Sequence, residues 1–270
     1  MSDPTRPNAP RIMSVVNQKG GVGKTTTAIN LSAALVALGY RVLLVDLDPQ
    51  GNASTGLGVG ADRREVTTYE LLLDDVELKE AIQETYSKDF LIIPATTDLS
   101  SADIELIANE KRIFLLRDAL RQPSIDSFDL DYVIIDCPPS LSLLTVNALV
   151  ASDSVLVPLQ SEFFALEGLS QLMLTVREVR TTANPSLRIE GVVLTMFDAR
   201  NNLSRQVEQD ARENLGELVF QTLIPRNVRL SEAPSYAMPV SMYDPNSAGA
   251  RAYKALAQEL VGGEVLAAKP

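Results

Sequence analysis

The chain has 270 residues, 46% of them hydrophobic, enough for one sizeable α/β domain. It has no histidine and one cysteine, Cys137. That excludes a Ser-His-Asp triad, imidazole metal ligands, an intrachain disulfide framework and a multi-cysteine metal site. A net charge of −11 argues against indiscriminate nucleic-acid binding by the whole surface, while leaving room for a local basic patch.

Residues 1–10 are polar and carry Pro4, Pro7 and Pro10. They lack the apolar stretch of a signal peptide and read as a flexible tail. Residues 12–17 (IMSVVN) form the first strand candidate, and residues 25–38 a helix with Ile29, Leu31, Leu35 and Leu38 on its apolar side, stopped by Gly39. Residues 41–46 (RVLLVD) are nearly all apolar, as in a strand buried on both faces. Residues 51–89, rich in glycine and charge, read as irregular surface. Strand candidates recur at 90–94, 132–136, 154–158, 189–196 and 218–224, with helical patterns at 101–120, 141–151, 166–182 and 204–215 between most of them. A last helix over 246–261 ends at Gly262-Gly263, leaving 262–270 as a flexible tail. This alternation predicts a doubly wound, mostly parallel sheet with helices on both faces, in a single domain over residues 11–261. No apolar run approaches the roughly 20 residues of a membrane span, so the cytosol is the expected compartment.

The chemistry concentrates where the first strand runs into its helix. Between them stand Gln18, Lys19, Gly20, Gly21, Val22, Gly23, Lys24, Thr25 and Thr26. Glycines let backbone N–H groups close around phosphate oxygens, and the helix N-terminus adds its positive end. Lys24 is expected to reach the β- and γ-phosphates of ATP, and the Thr25 hydroxyl to ligate Mg²⁺. Gln18 replaces the first glycine of the usual P-loop pattern, and the strand–loop–helix context supports the assignment despite it. Lys19 has three readings: a second contact to phosphate in the same chain, a solvated lysine, or a charge reaching into a partner's site as an arginine finger does.

Acidic residues end two later strands, where doubly wound sheets gather their ligand-binding groups. Asp136, after Val133-Ile134-Ile135, fits a carboxylate of the Mg²⁺ shell. Asp48 is expected to position the attacking water at the edge of that metal site, with Asp46 in support; each could instead cap a helix or a turn. Cys137 reads as a small buried spacer.

Three motifs, KGGVGKTT (19–26), VDLDPQGN (45–52) and IIDCPPS (134–140), together resemble the ParA/Soj group of the ParA/MinD ATPases, with a deviant Walker A loop. MFDAR (196–200), IPRNVRLSEAPS (224–235) and YDPNSAGARAYKALAQE (243–259) extend the resemblance over roughly 11–261. It implies a DNA-segregation ATPase that forms an ATP-sandwich homodimer in which Lys19 contacts the partner's phosphates. It also implies non-specific binding of double-stranded DNA by that dimer, hydrolysis stimulated by a ParB-like centromere-binding partner, and association with the nucleoid. Pro225, Arg226 and Asn227 match the segment that contacts adenine, and Arg200 and Arg229 match arginines used on DNA. By themselves the six arginines between 188 and 229, interspersed with acids such as Asp198 and Glu208, read as a solvated mixed-charge surface. A MinD-like membrane-positioning ATPase is the rival, but the tail after Leu260 has one lysine and two glycines, no basic amphipathic helix. An orphan relative that positions another cargo is the other alternative. A nitrogenase-iron-protein-like reductase would need two cysteines.

Overall fold

Strands and helices alternate because nearly every strand is apolar along its whole length, and each needs cover on both faces. The computed structural model describes the backbone at residues 9–74, 76–162 and 165–267, and the side chains of all these except 103, 108, 165–167 and 263–267. In chain order the main elements are β1 (Arg11–Val15), α1 (Lys24–Ala37), β2 (Val42–Asp46), α2 (Asn52–Gly56), α3 (Thr68–Leu73), α4 (Leu78–Ala81), β3 (Gln83–Ser87), β4 (Phe90–Ile93), α5 (Leu99–Glu105) and α6 (Leu115–Leu120). They continue with β5 (Tyr132–Asp136), α7 (Leu143–Ala151), β6 (Ser154–Gln160), α8 (Ala165–Thr182), β7 (Arg188–Thr195), α9 (Asn202–Leu215), α10 (Val228–Glu232), α11 (Val240–Tyr243) and α12 (Ala248–Ala267). Residues 1–8 and 268–270 of the expected tails lie outside the described residues.

The sheet runs β3-β4-β2-β5-β1-β6-β7, and every pairing is parallel except that of edge strand β3 with β4. Alternate residues of each strand enter different cores. Leu43 and Val45 pack with α3 to α9 on one face, while Val42 and Leu44 pack with α1 and α12 on the other. Fully burying one such leucine contributes about 2 kcal/mol. The consequence for function is positional. β1 sits between β5 and β6, so its loop emerges at the carboxyl edge of the sheet centre, next to the ends of β2 and β5.

Four expectations are corrected. Residues 218–224 are not a strand; only isolated bridges join Val219 to Val192 and Pro225 to Phe197. The N–H groups of Gln221 and Thr222 donate instead to the Glu259 carboxylate of α12, at 2.6 and 2.9 Å, which interrupts the ladder along β7. The helix expected over 101–120 is broken between α5 and α6, where the Asn109 carboxamide accepts from Lys111 N at 2.8 Å and competes with helical pairing. Residues 51–89 are not all irregular surface: they hold α2, α3, α4 and β3, with Leu71, Leu72 and Leu78 buried. Each piece is too short to show a period. Finally, α12 continues through Gly262-Gly263 to Ala267. Gly262 is not left-handed, and a glycine inside a helix costs only about 1 kcal/mol.

Candidate nucleotide site

The loop between β1 and α1 is held open by its neighbours. Asn17 donates to Pro158 O at 2.8 Å and accepts from Lys19 N at 3.0 Å, tying the loop to β6. Gln18, in the place of the missing glycine, donates to Gly168 O of α8 at 2.9 Å. Thr195, at the end of β7, donates its hydroxyl to Val22 O at 2.8 Å. Gly21 and Gly23 adopt φ of 76° and 88°, the left-handed region where a side chain would be strained. Gly23 caps α1 without any side-chain hydrogen bond, so the first N–H groups of the helix stay available to an anion.

Lys24 is 6% exposed and donates to Lys19 O at 3.1 Å, bending its ammonium back over the loop. Burial lowers its pKa, against the opposing field of Asp136, Cys137 and Asp48. A buried ammonium with only a carbonyl to bond favours an anionic ligand. Thr25 and Thr26 are half-buried in the first turn beside it.

Three carboxylates converge in front of this loop, and their hydrogen bonds separate their roles. Asp46 and Asp136 are direct register partners on β2 and β5. Asp46 is saturated: it accepts from Ser54 N at 2.8 Å, Ser54 Oγ at 2.6 Å and Asp48 N at 3.3 Å. Burial pushes its carboxyl up to about 6. Asp136 is 0% exposed, and neither of its oxygens has a well-formed hydrogen bond. Burial first, then the Asp46 charge, pushes its carboxyl well above the usual range, with the neighbouring Thr25 hydroxyl opposing. A buried carboxylate left so is costly unless a cation or bound water completes it. Asp48 is buried and accepts from Gln50 N at 3.0 Å. No three His, Cys, Asp or Glu among the described residues cage a metal. Mg²⁺ needs no such cage: one or two protein oxygens hold it, with phosphates and water supplying the rest.

Pro225, Arg226 and Asn227 line a cavity of about 510 Å³ that opens onto Gly23 and Thr26, so the segment expected to contact a base does adjoin the phosphate loop. Met196 and Tyr253 line it too, and sequence reasoning missed both. Tyr253 is buried in α12 with its hydroxyl 3.0 Å from Thr27 Oγ1 of α1, and nothing in local sequence connects residues so far apart. Glu162 was missed as well. Lys19 is 42% exposed at its side chain and pairs with Glu162, just past β6, at 3.1 Å.

The two arginines expected on DNA are exposed but not free. Arg200, 91% exposed at its side chain, makes two 3.0 Å bonds to Asp198. Arg229, in α10, meets Glu232 at 2.8 Å and Asp244 at 3.3 Å. Arg229 sits two residues past Asn227, the cap of this short helix.

With this geometry in place, comparison with known proteins is informative. A family described as "AAA domain" matches residues 10–189. The chain is 53% identical over 257 residues to the chromosome partitioning protein ParA of Caulobacter vibrioides, covering 95% of this chain and 96% of that one. It is 52% identical over 250 residues to the sporulation initiation inhibitor protein Soj of Bacillus subtilis, covering 93% and 98%. Among solved structures, cobyrinic acid a,c-diamide synthase from Mycobacterium smegmatis with bound ADP and magnesium is similar at a TM-score of 0.80 and 40% identity, covering 93% and 94%. The P-loop, the paired strand-end carboxylates and this agreement along nearly the whole chain lead to one conclusion: the chain belongs to the ParA/Soj family of chromosome-partitioning ATPases.

Proposed function

We propose that the chain binds ATP with Mg²⁺ at the P-loop, forms a homodimer in that state, and as a dimer binds double-stranded DNA without sequence preference. Hydrolysis, stimulated by a ParB-like centromere-binding partner, then returns it to the monomer and releases DNA. Its place is the cytoplasm, on the nucleoid. The observation that carries the reading is the fully buried Asp136 carboxylate, without a well-formed hydrogen bond, beside Thr25 and Lys24 at the uncapped start of α1.

In this reading the N–H groups of Gly20, Gly21, Val22 and Gly23 and the Lys24 ammonium bind the phosphates. Thr25 and Asp136 would hold Mg²⁺, with Asp48 at the edge of the site, and the ion would supply positive charge against the phosphates. Asp48 orients the attacking water, and Asp46, its oxygens occupied by Ser54, fixes the strand end from which Asp48 projects. Lys19 exchanges Glu162 for the partner's phosphates. Pro225, Arg226, Asn227 and Met196 receive the base. Arg200 and Arg229 take up DNA phosphates, a sequence-neutral and salt-sensitive mode.

Nothing in the chain favours the amide synthesis named for the M. smegmatis structure. There is no histidine, and Cys137 is fully buried with its thiol pushed up, so no accessible thiolate is on hand to release ammonia from an amide donor. Among the described residues no helix is long and apolar enough to cross a bilayer, and liposome flotation tests for surface attachment.

The test is ATP turnover with and without duplex DNA and a ParB-like peptide. Slow basal turnover that rises when both are added is expected, because no arginine finger is evident in the chain. Turnover indifferent to both would refute the partition cycle while leaving the ATPase intact.

A further inference from the structure

The segment after β2 carries Asp48, and something must hold it, because it leaves the sheet over residues 47–67 before α3 begins. The path turns at Gly51 (φ 60°), makes the single turn of α2, and turns again at Gly58 (φ 77°). Two anchors return it to the sheet, and they converge on one residue, Ala95, just beyond β4. The first is Asp46: its partner Ser54 accepts from Ala95 N at 3.1 Å. The second is Arg64, a side chain with no place in the motif reading.

The Arg64 guanidinium spreads its donors over four bonds. Nη1 donates to Ala95 O at 2.9 Å, Nη2 to Thr55 Oγ1 and to Val59 O, both at 2.8 Å, and Nε to Val59 O at 3.0 Å. The Thr55 hydroxyl passes the contact on by donating to Gly51 O at 3.0 Å, and Gly51 N donates to Asp48 O at 2.9 Å. A short chain of hydrogen bonds thus runs from Arg64 through Thr55 and Gly51 to the backbone of Asp48. Gly51 is fitted to it: a Cβ there would lie 2.4 Å from Arg64 Nη1 and 2.8 Å from Ala95 O.

We infer that Arg64 is a positioning residue for hydrolysis, clamping the 48–59 segment to the end of β4 so that Asp48 is held where it orients water. The inference rests on the proposed role of Asp48. A planar fork suits the task because one rigid group joins the Ala95 carbonyl to the Val59 carbonyl and the Thr55 hydroxyl; a lysine, a single point charge, cannot. The clamp touches neither the phosphate loop nor the base cavity, so its loss acts on the chemical step and not on ATP binding.

The experiment is single-turnover hydrolysis of ATP with Mg²⁺ and duplex DNA by the full chain, alongside ATP affinity by calorimetry. Arg64→Lys is expected to slow hydrolysis about tenfold, a displacement of well under 1 Å being enough, with affinity changed less than about twofold. Thr55→Val breaks the same chain without altering charge and is expected to slow it about threefold, and Thr55→Ser to restore the parent rate. The double variant Arg64→Lys/Thr55→Val should be no slower than Arg64→Lys alone, since both cut one path. A folded Arg64→Lys protein at the parent rate, additive effects, or affinity falling in step with rate would each overturn the clamp. If Arg64→Lys does not fold, the Thr55 pair decides alone, because a structural role would leave Thr55→Val and Thr55→Ser equally fast per folded molecule. Asp48→Asn separates the two claims. A parent rate there removes the water-positioning reading and the clamp with it; a slow Asp48→Asn beside a normal Arg64→Lys removes the clamp alone.

Discussion

The two charged regions of this molecule are built on opposite terms. Past the carboxyl ends of β1, β2 and β5, Lys24, Asp46 and Asp136 are buried, and one of them, Asp136, has no well-formed hydrogen bond in the protein. Around Arg200 and Arg229 the charges are solvated, and each arginine already has a carboxylate beside it. A buried charge without a partner is expensive, so it points to a ligand that completes it. A solvated pair is weak, so it does not require DNA and obstructs it only slightly. The first region states its function in its energetics; the second can act only when many weak contacts are summed, as in a dimer.

The largest effect is expected of Lys24→Ala. Removing the buried ammonium is expected to weaken ATP binding about 100-fold or more by calorimetry. Binding as tight as the parent's would mean that the buried region is not the nucleotide site. Next in size, Lys19→Ala is expected to bind nucleotide as a monomer and lose the ATP-dependent dimer, read by light scattering, because the exposed Lys19–Glu162 pair leaves the phosphate loop untouched. A dimer of normal mass would place Lys19 with the solvated charges.

On the other side, Arg229→Glu, and more weakly Arg200→Glu, should reduce DNA binding by the ATP dimer with ATP binding unchanged. The salt slope should fall by about 0.9 for each DNA phosphate that is no longer neutralised. Fluorescence anisotropy on two unrelated duplexes over a salt series checks both the weakening and the lack of sequence preference. Parent-like affinity in Arg229→Glu moves the DNA face elsewhere. The smallest effect is a gain. Glu232→Gln removes the nearer carboxylate competing for Arg229 and should tighten DNA binding by about twofold to fivefold at low salt, the worth of one exposed pair. Unchanged affinity would show that Asp244 alone suffices to neutralise Arg229, or that this arginine does not meet DNA.

How much of this was legible follows the same division. The P-loop was readable because strand, glycines, lysine and helix are contiguous, and local order is what a motif records. The place of Asp136 at a strand end was readable because it ends an all-apolar run. The saturation of Asp46 by Ser54, which separates it from Asp136, was not: it depends on where α2 folds back after β2. The strand expected at 218–224 failed for a similar reason. Its apolar pattern is sound, but Glu259, more than thirty residues later, takes the N–H groups a strand would need.

The six parallel strands, their layering and the phosphate loop could be read along the chain, because they follow from periodicity and from contiguous backbone chemistry; edge strand β3 could not. Only the tertiary structure decided which charges are spent and which are available. Arg64 meeting Ala95, Lys19 meeting Glu162, Tyr253 meeting Thr27 and Arg229 meeting Asp244 are contacts across long stretches of chain. A hydrogen bond is set by distance in space, and no spacing along the chain encodes that distance until the sheet has brought the strand ends together.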